Sequence, residues 1–205
     1  LPEILALRPD LVLANQEENS RAAVEALQEA GVQVWLSFPQ SVDEALSSLQ
    51  ELARLFHSPA AAQKINTLET AVSWMRAAAG DNLAMRTFCP IWFDQTQDGE
   101  PWFMTVNRQT YCHDLLALAG GKNVFADRPR RYPLGADLGH EPAQDPGQRD
   151  TRYPRLPLSE VIAANPEVIL LPDEPFAFTQ DHEDEIRRLL EATPAVQAGR
   201  VHRLD

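Results

Sequence analysis

The chain has 205 residues, 44% hydrophobic and 23% charged, enough apolar mass for a packed core in one large domain or two small ones. Its 30 acidic and 18 basic side chains give a net charge of −12, which argues against nucleic acid or an anionic membrane surface as partner. No apolar run reaches the roughly 20 residues of a membrane span, and residues 1–3 lack the basic start of a secretory signal, so the chain reads as cytosolic or as exported with its signal removed.

Residues 1–7, with Ile4, Leu5 and Leu7 apolar, read as the last turns of a helix that Pro9 and Asp10 end. The apolar run 11–14 has the character of a buried parallel strand. A polar loop (15–19), a helix over 20–30 stopped by Gly31, and a strand over 32–36 complete a βαβ unit. Ser41 with Glu44 forms a capping box for a helix whose apolar face includes Val42, Leu46, Leu49, Ala53 and Phe56. Ser58-Pro59 then starts a second helix, which runs to Gly80 with Ile65, Leu68, Val72 and Met75 as its stripe. At 1.5 Å per residue it is about 30 Å long, the span of a small domain.

The second half opens with a strand over 85–93, a turn at Gln97-Asp98-Gly99 and a strand over 102–106. A helix over 109–119 ends at Gly120-Gly121. Residues 127–157, rich in Pro, Arg and Gly, show no period and read as one long loop, which in a compact domain is functional or disordered. The chain closes with a helix over 158–164, a strand over 168–171, a helix over 181–191 and a strand over 200–204. The lobes are accordingly placed at 1–57 and 81–205, with 58–80 as the linking helix. Cys89 and Cys112 fit one disulfide or two buried thiols equally. No GxGxxG, phosphate loop, CxxC, HExxH or GxSxG pattern is present.

The two halves repeat one another. Residues 1–13 (LPEILALRPDLVL) align without gaps on 158–170 (LSEVIAANPEVIL), and the alignment carried onward places Glu17 on Glu174. Both halves need a helix that ends before a proline and feeds a buried strand, as any αβ junction does. Together with Gly120-Gly121-Lys122-Asn123-Val124-Phe125, these segments resemble class III substrate-binding proteins of ABC transporters, the receptors for cobalamin, ferric siderophores and haem. The resemblance is to their helical-backbone metal receptor branch, which includes periplasmic cobalamin-binding proteins.

The resemblance implies an α/β fold of two Rossmann-like lobes joined by one long α-helix. It implies a metal chelate (cobalamin-like, ferric siderophore or haem) bound between the lobes as cargo, with no resident cofactor and no catalysis. The partners implied are an ABC permease and its ATPase. The location implied is periplasmic or extracytoplasmic, with a lipid anchor an option in the full-length protein. Such proteins begin with a strand and helix that this chain lacks and end with a helix after the last strand. The first lobe therefore reads as truncated and its sheet as having an open edge, which invites association.

Ligands of open α/β sheets sit beyond the carboxyl ends of the strands. That rule selects Asn15 and Gln16, Trp92 and Phe93, and Phe176, with Trp102, Tyr111 and Tyr132 as further surface for a flat macrocycle. Phe93, Phe103 and Tyr111 fit the core equally well. Arg131, with Arg128 and Arg130, forms a basic cluster in an acidic chain, suited to carboxylate or phosphate, or to a solvated loop. Glu17 and Glu174, with Glu18 as substitute, are the acidic pair expected to dock a two-fold permease. The five histidines show no i, i+4 pair, so no bare-metal site is expected. The alternatives are an enzyme using His182 with Glu183 and Asp173, or Cys112 beside His113, and an interaction domain on the same scaffold.

Overall fold

The computed structural model describes residues 1–80 and 83–204. The chain divides into two compact units, Leu1–Ile65 and the remainder from Asn66. In the first unit, helix α1 (Pro2–Ala6) leads to strand β1 (Leu11–Asn15), helix α2 (Arg21–Glu29) and strand β2 (Gln33–Ser37), and β1 pairs with β2 in parallel. The Ser20 hydroxyl caps α2 by accepting from the Ala23 N–H, and Ser41 likewise caps α3 (Val42–Leu55) through Glu44. Val24, Leu27, Val42, Leu46 and Ala53 are buried, as the helical periods require. Helix α4 (Pro59–Gly80) starts at the predicted proline.

The second unit contains two sheets. Strands β3 (Met85–Phe88), β6 (Gly121–Asn123), β8 (Val168–Leu171) and β9 (Val201–Arg203) form a parallel sheet in the order β6-β3-β8-β9. Strands β4 (Pro90–Gln95), β5 (Pro101–Thr105) and β7 (Arg155–Pro157) form an antiparallel sheet in that order. The single strand expected over 85–93 is therefore two. The chain leaves the parallel sheet at Cys89, and Pro90 opens the antiparallel one. Helices α5 (Tyr111–Leu118), α7 (Leu158–Ala164), α8 (Gln180–Leu189) and α9 (Pro194–Gln197) complete the unit, with α6 (Leu134–Asp137) inside the expected loop.

Register separates the two faces of the antiparallel sheet. Phe93, Phe103 and Leu156 lie opposite one another and point to the core, while Trp92, Met104 and Arg155 occupy the other face. Phe103 stacks on Phe93 at 5.0 Å and meets Phe88 edge-on at 5.5 Å; Phe88 meets Phe125 at the same distance. Residues 127–157 are ordered around one buried carboxylate. Asp137 accepts from Arg128 Nη1 (2.9 Å), the Arg131 N–H (2.8 Å), the Arg155 N–H (3.0 Å) and Arg155 Nε (2.9 Å). Arg128 also donates to Glu160 of α7 at 2.8 Å. Gly121 is required by close approach, because a Cβ there would lie 2.9 Å from Thr87 Oγ1 and 3.0 Å from the Leu116 carbonyl.

Candidate functional site

The carboxyl end of β8 opens into residues 172–179 and then α8. This segment brings Phe176 against Trp92 of β4 at 5.2 Å between ring centroids, with the rings nearly edge to face. Phe176 also meets Phe178 at 4.8 Å and the His182 imidazole at 4.9 Å, while Phe93 and Phe178 flank the imidazole at 6.4 and 6.3 Å. Trp92, Phe176 and His182 are half-buried, and Phe93 and Phe178 are buried beneath them. The result is an aromatic platform whose base belongs to the core and whose upper rings meet solvent. Such a surface suits stacking against an extended π system.

Local chemistry fixes the platform. Thr179 is the N-cap of α8: its hydroxyl accepts from the His182 N–H, and His182 Nδ1 accepts from the Thr179 N–H at 3.1 Å. The cap is therefore Thr179 with His182 as the returning partner, and Asp181 is simply first-turn charge. The sequence reading offers His182 only as an acid–base group in the enzyme alternative. The spacing Thr179-x-x-His182 was the available signal for its capping role, although the usual third-position partner is Glu or Gln.

The expected site residues separate into groups. Trp92 and Phe176 meet. Phe93 and Trp102, at 7% and 9% exposure, are core residues, a correction to the expectation that they face a ligand: Phe93 lies on the inner face of its sheet. Trp102 lies on the opposite face of the same sheet, where it is buried. Tyr111 is the half-buried first residue of α5. Asn15 spends its side chain on its own turn, where Oδ1 accepts from the Glu17 N–H at 2.8 Å; Gln16 beside it is exposed.

Tyr132 is encircled by cations. The guanidinium carbons of Arg149, Arg130 and Arg155 lie 4.2, 4.9 and 5.6 Å from its ring centroid, and its hydroxyl donates to the Asp150 carbonyl at 2.6 Å. Arg131 ties down the segment through its backbone, its N–H going to Asp137 and its carbonyl accepting from Arg155, while its side chain is exposed. Arg128, read from sequence as part of a ligand-facing basic cluster, is instead a buried partner of Asp137 and Glu160. Burial works against the Asp150 carboxylate, but the hydrogen bonds and charge of Arg152, with Arg130, hold it below its ordinary range. Glu17, Glu18 and Glu174 are exposed.

A groove of about 1120 Å³ runs elsewhere in the second unit, along β6 and bordered by α5 and α7. Among its cations, Arg76, Arg108 and Arg128 pair with Asp114, Asp127 and Asp137 respectively, Arg86 donates to the Ala164 carbonyl, and Lys122 is exposed. Its rings are Phe125, buried in the core, and the half-buried imidazole of His113. The platform at the end of β8, with its half-buried rings at a strand's carboxyl end, is the candidate suited to a flat ligand. Cys89 and Cys112 are free thiols, the first buried and the second exposed. Among the described residues no cluster of three or more His, Cys, Asp or Glu side chains could hold a metal ion, and no helix is long and apolar enough to cross a membrane.

Residues 3–205 match the family model described as periplasmic binding protein. A vitamin B12-binding protein of Yersinia pestis is 30% identical over 131 residues, which is 63% of this chain and 44% of that protein, so the match spans less than half of the relative. Among solved structures, the periplasmic vitamin B12 binding protein BtuF of Vibrio cholerae superposes over 100% of this chain and 68% of its own, with a TM-score of 0.70 at 20% identity. The periplasmic heme-binding protein RhuT from Roseiflexus sp. RS-1 gives 98% and 69% coverage, a TM-score of 0.70 and 21% identity. These likenesses show the fold, the two-lobed α/β architecture expected from the sequence. The chain belongs to the periplasmic binding protein family, a family of binding proteins rather than enzymes.

Proposed function

We propose that this member of the periplasmic binding protein family captures a metal chelate for an ABC importer, and that the chelate is cobalamin-like. The carrying observation is the platform of Trp92, Phe176 and His182 at the carboxyl end of β8, where open α/β sheets hold their ligands. A corrin or porphyrin presents the broad flat face that such rings recognise. The likeness to a vitamin B12-binding protein supports a corrin ahead of haem or a ferric siderophore. Periplasmic or other extracytoplasmic placement, a lipid anchor in the full-length protein, and delivery to a permease and its ATPase through exposed Glu17, Glu18 and Glu174 belong to the same proposal. Titration with cyanocobalamin, haemin and a ferric siderophore, followed by tryptophan fluorescence, tests it. Trp92→Ala should weaken cyanocobalamin binding by about 1 kcal/mol or more through loss of the stacked ring. Failure of all three ligands to bind, or unchanged affinity in the variant, overturns the assignment.

A further inference from the structure

Resting on that functional reading, we propose that His182 is a fixed hydrogen-bond donor to an uncharged oxygen of the bound chelate and is not a ligand of its metal. The imidazole has two nitrogens with different duties. Nδ1 faces the Thr179 backbone N–H at 3.1 Å and the Thr179 hydroxyl at the same distance. A backbone N–H can only donate, so Nδ1 keeps its lone pair, and the proton of the neutral ring sits on Nε2. Among the described residues the one buried side-chain nitrogen or oxygen without a partner is Arg130 Nε. His182 Nε2 has no partner among the described residues and is not buried, so it keeps access to solvent.

A histidine that binds metal through Nε2 needs the opposite arrangement, with Nδ1 protonated and donating to a carbonyl or carboxylate. Here the second nitrogen is held by donors, so metal ligation through Nε2 would force the capping box apart. What the ring offers without rearrangement is one N–H, on an imidazole that sits in an aromatic cluster.

Charge around the platform selects the acceptor. Residues 172–184 carry Asp173, Glu174, Asp181, Glu183 and Asp184 and no lysine or arginine. Asp173, Glu174, Asp181 and Asp184 are exposed. The arginines that follow are engaged elsewhere, Arg187 and Arg203 with Glu183 at 2.7 and 3.1 Å and Arg188 with Glu185 at 3.8 Å, so the four exposed acids keep their charge. A carboxylate or phosphate approaching this segment meets like charge, whereas an amide carbonyl does not. The geometry thus assigns a neutral or cationic chelate whose rim carries amide groups, the chemistry of a corrin's side chains, over one bearing free carboxylates.

Variants at one position separate the roles of His182. Glutamine at the third helical position returns its oxygen to the cap and leaves its amide N–H outward, whereas glutamate caps equally well but has no donor. With cyanocobalamin as the probe, His182→Gln should keep affinity within about threefold, and His182→Glu and His182→Ala should lose about tenfold or more. Wild type should also prefer cyanocobalamin by at least about fivefold over its derivative with one side-chain amide hydrolysed to the acid. With haemin, the absorption spectrum of any complex should be the same in wild type and His182→Ala. An imidazole-ligated haem spectrum lost in His182→Ala, equal affinity of His182→Glu and wild type for cyanocobalamin, or preference for the acid derivative overturns this inference while leaving the functional reading intact. A wild-type chain that binds none of the probes overturns both.

Discussion

Asp137→Ala removes the carboxylate around which residues 127–157 are ordered, and its cost follows from what is left behind. The Asp137 side chain is fully buried, and the two arginines that hold it are 9% and 11% exposed. Truncation orphans four donors at once: two guanidinium N–H groups and the backbone N–H groups of Arg131 and Arg155. Removing one partner of a buried ion pair costs about 3–5 kcal/mol, because the remaining charge is left desolvated. Arg128 retains Glu160, which is one-third exposed, so Arg155 bears most of the loss and the lower end, about 3 kcal/mol, is expected. For a chain of this length that corresponds to a fall of about 6–12 °C in Tm. Asp137→Asn should do no better, since its amide places a donor against a guanidinium. Urea unfolding followed by tryptophan fluorescence gives the stability, and limited proteolysis between residues 138 and 153 reports the release of the segment. A loss below about 1 kcal/mol, with the segment still protected, would falsify the view that this carboxylate organises it.

Burial, reinforced by the charge of nearby Cys112, pushes the Cys89 thiol up to about 12, while Cys112 is exposed. A chromogenic disulfide reagent near pH 8 should therefore find one thiol in the native chain and two in urea; two rapid native reactions would contradict the packing of Cys89. Burial first, and the Arg108 charge second, hold His113 below its ordinary 6.5 against the opposing pull of Asp114 and Asp127. The native state thus resists a proton that the unfolded state accepts, so stability is full above 6.5 and falls as pH drops through that value towards the lower folded pKa. Urea midpoints compared across this window should converge for His113→Asn, whose side-chain oxygen can replace the ring acceptor facing Asn123; an unchanged slope in the variant would count against it.

Local signals were enough for the elements that local physics decides. Ser41 caps its helix because its hydroxyl finds the Glu44 N–H, as the capping box announces; Ser20 and Thr110 do the same for α2 and α5, although the sequence reading places both inside the helix. The pairing of β1 with β2, and the helix-to-strand passage repeated at residues 158–171, follow from apolar runs punctuated by proline. The break at Cys89 was barely legible. Pro90 interrupts residues 85–93 and is the one local sign of the break, but only partners distant in sequence decide that Thr87 pairs with Val168 while Phe93 pairs with Phe103. Trp92 and Phe176 were selected by the strand-end rule, but the same rule selected Phe93. Which neighbour faces outward depends on the register with β5, and a bulge between Pro90 and Trp92 shifts that register.

The arginines show most directly what a sequence window withholds. Arg128, Arg130 and Arg131 stand together in the chain, and a cluster of like charge in an acidic protein reads as a hook for an anion. Their compensation comes from residues outside any such window: Asp137 at a separation of 9 and Glu160 at 32 for Arg128, while Asp137 reaches Arg155 across 18. Once paired, Arg128 has no charge to offer a ligand and functions as the post to which a loop is tied. Arg130 lends its guanidinium to the Tyr132 ring, in company with Arg149 and Arg155. The segment richest in cations is thus largely satisfied by its own acids and rings. The platform at the end of β8 stands instead beside the exposed acids Asp173, Glu174, Asp181 and Asp184, and on the proposed reading it is there, rather than at the arginines, that a ligand's charge would be discriminated.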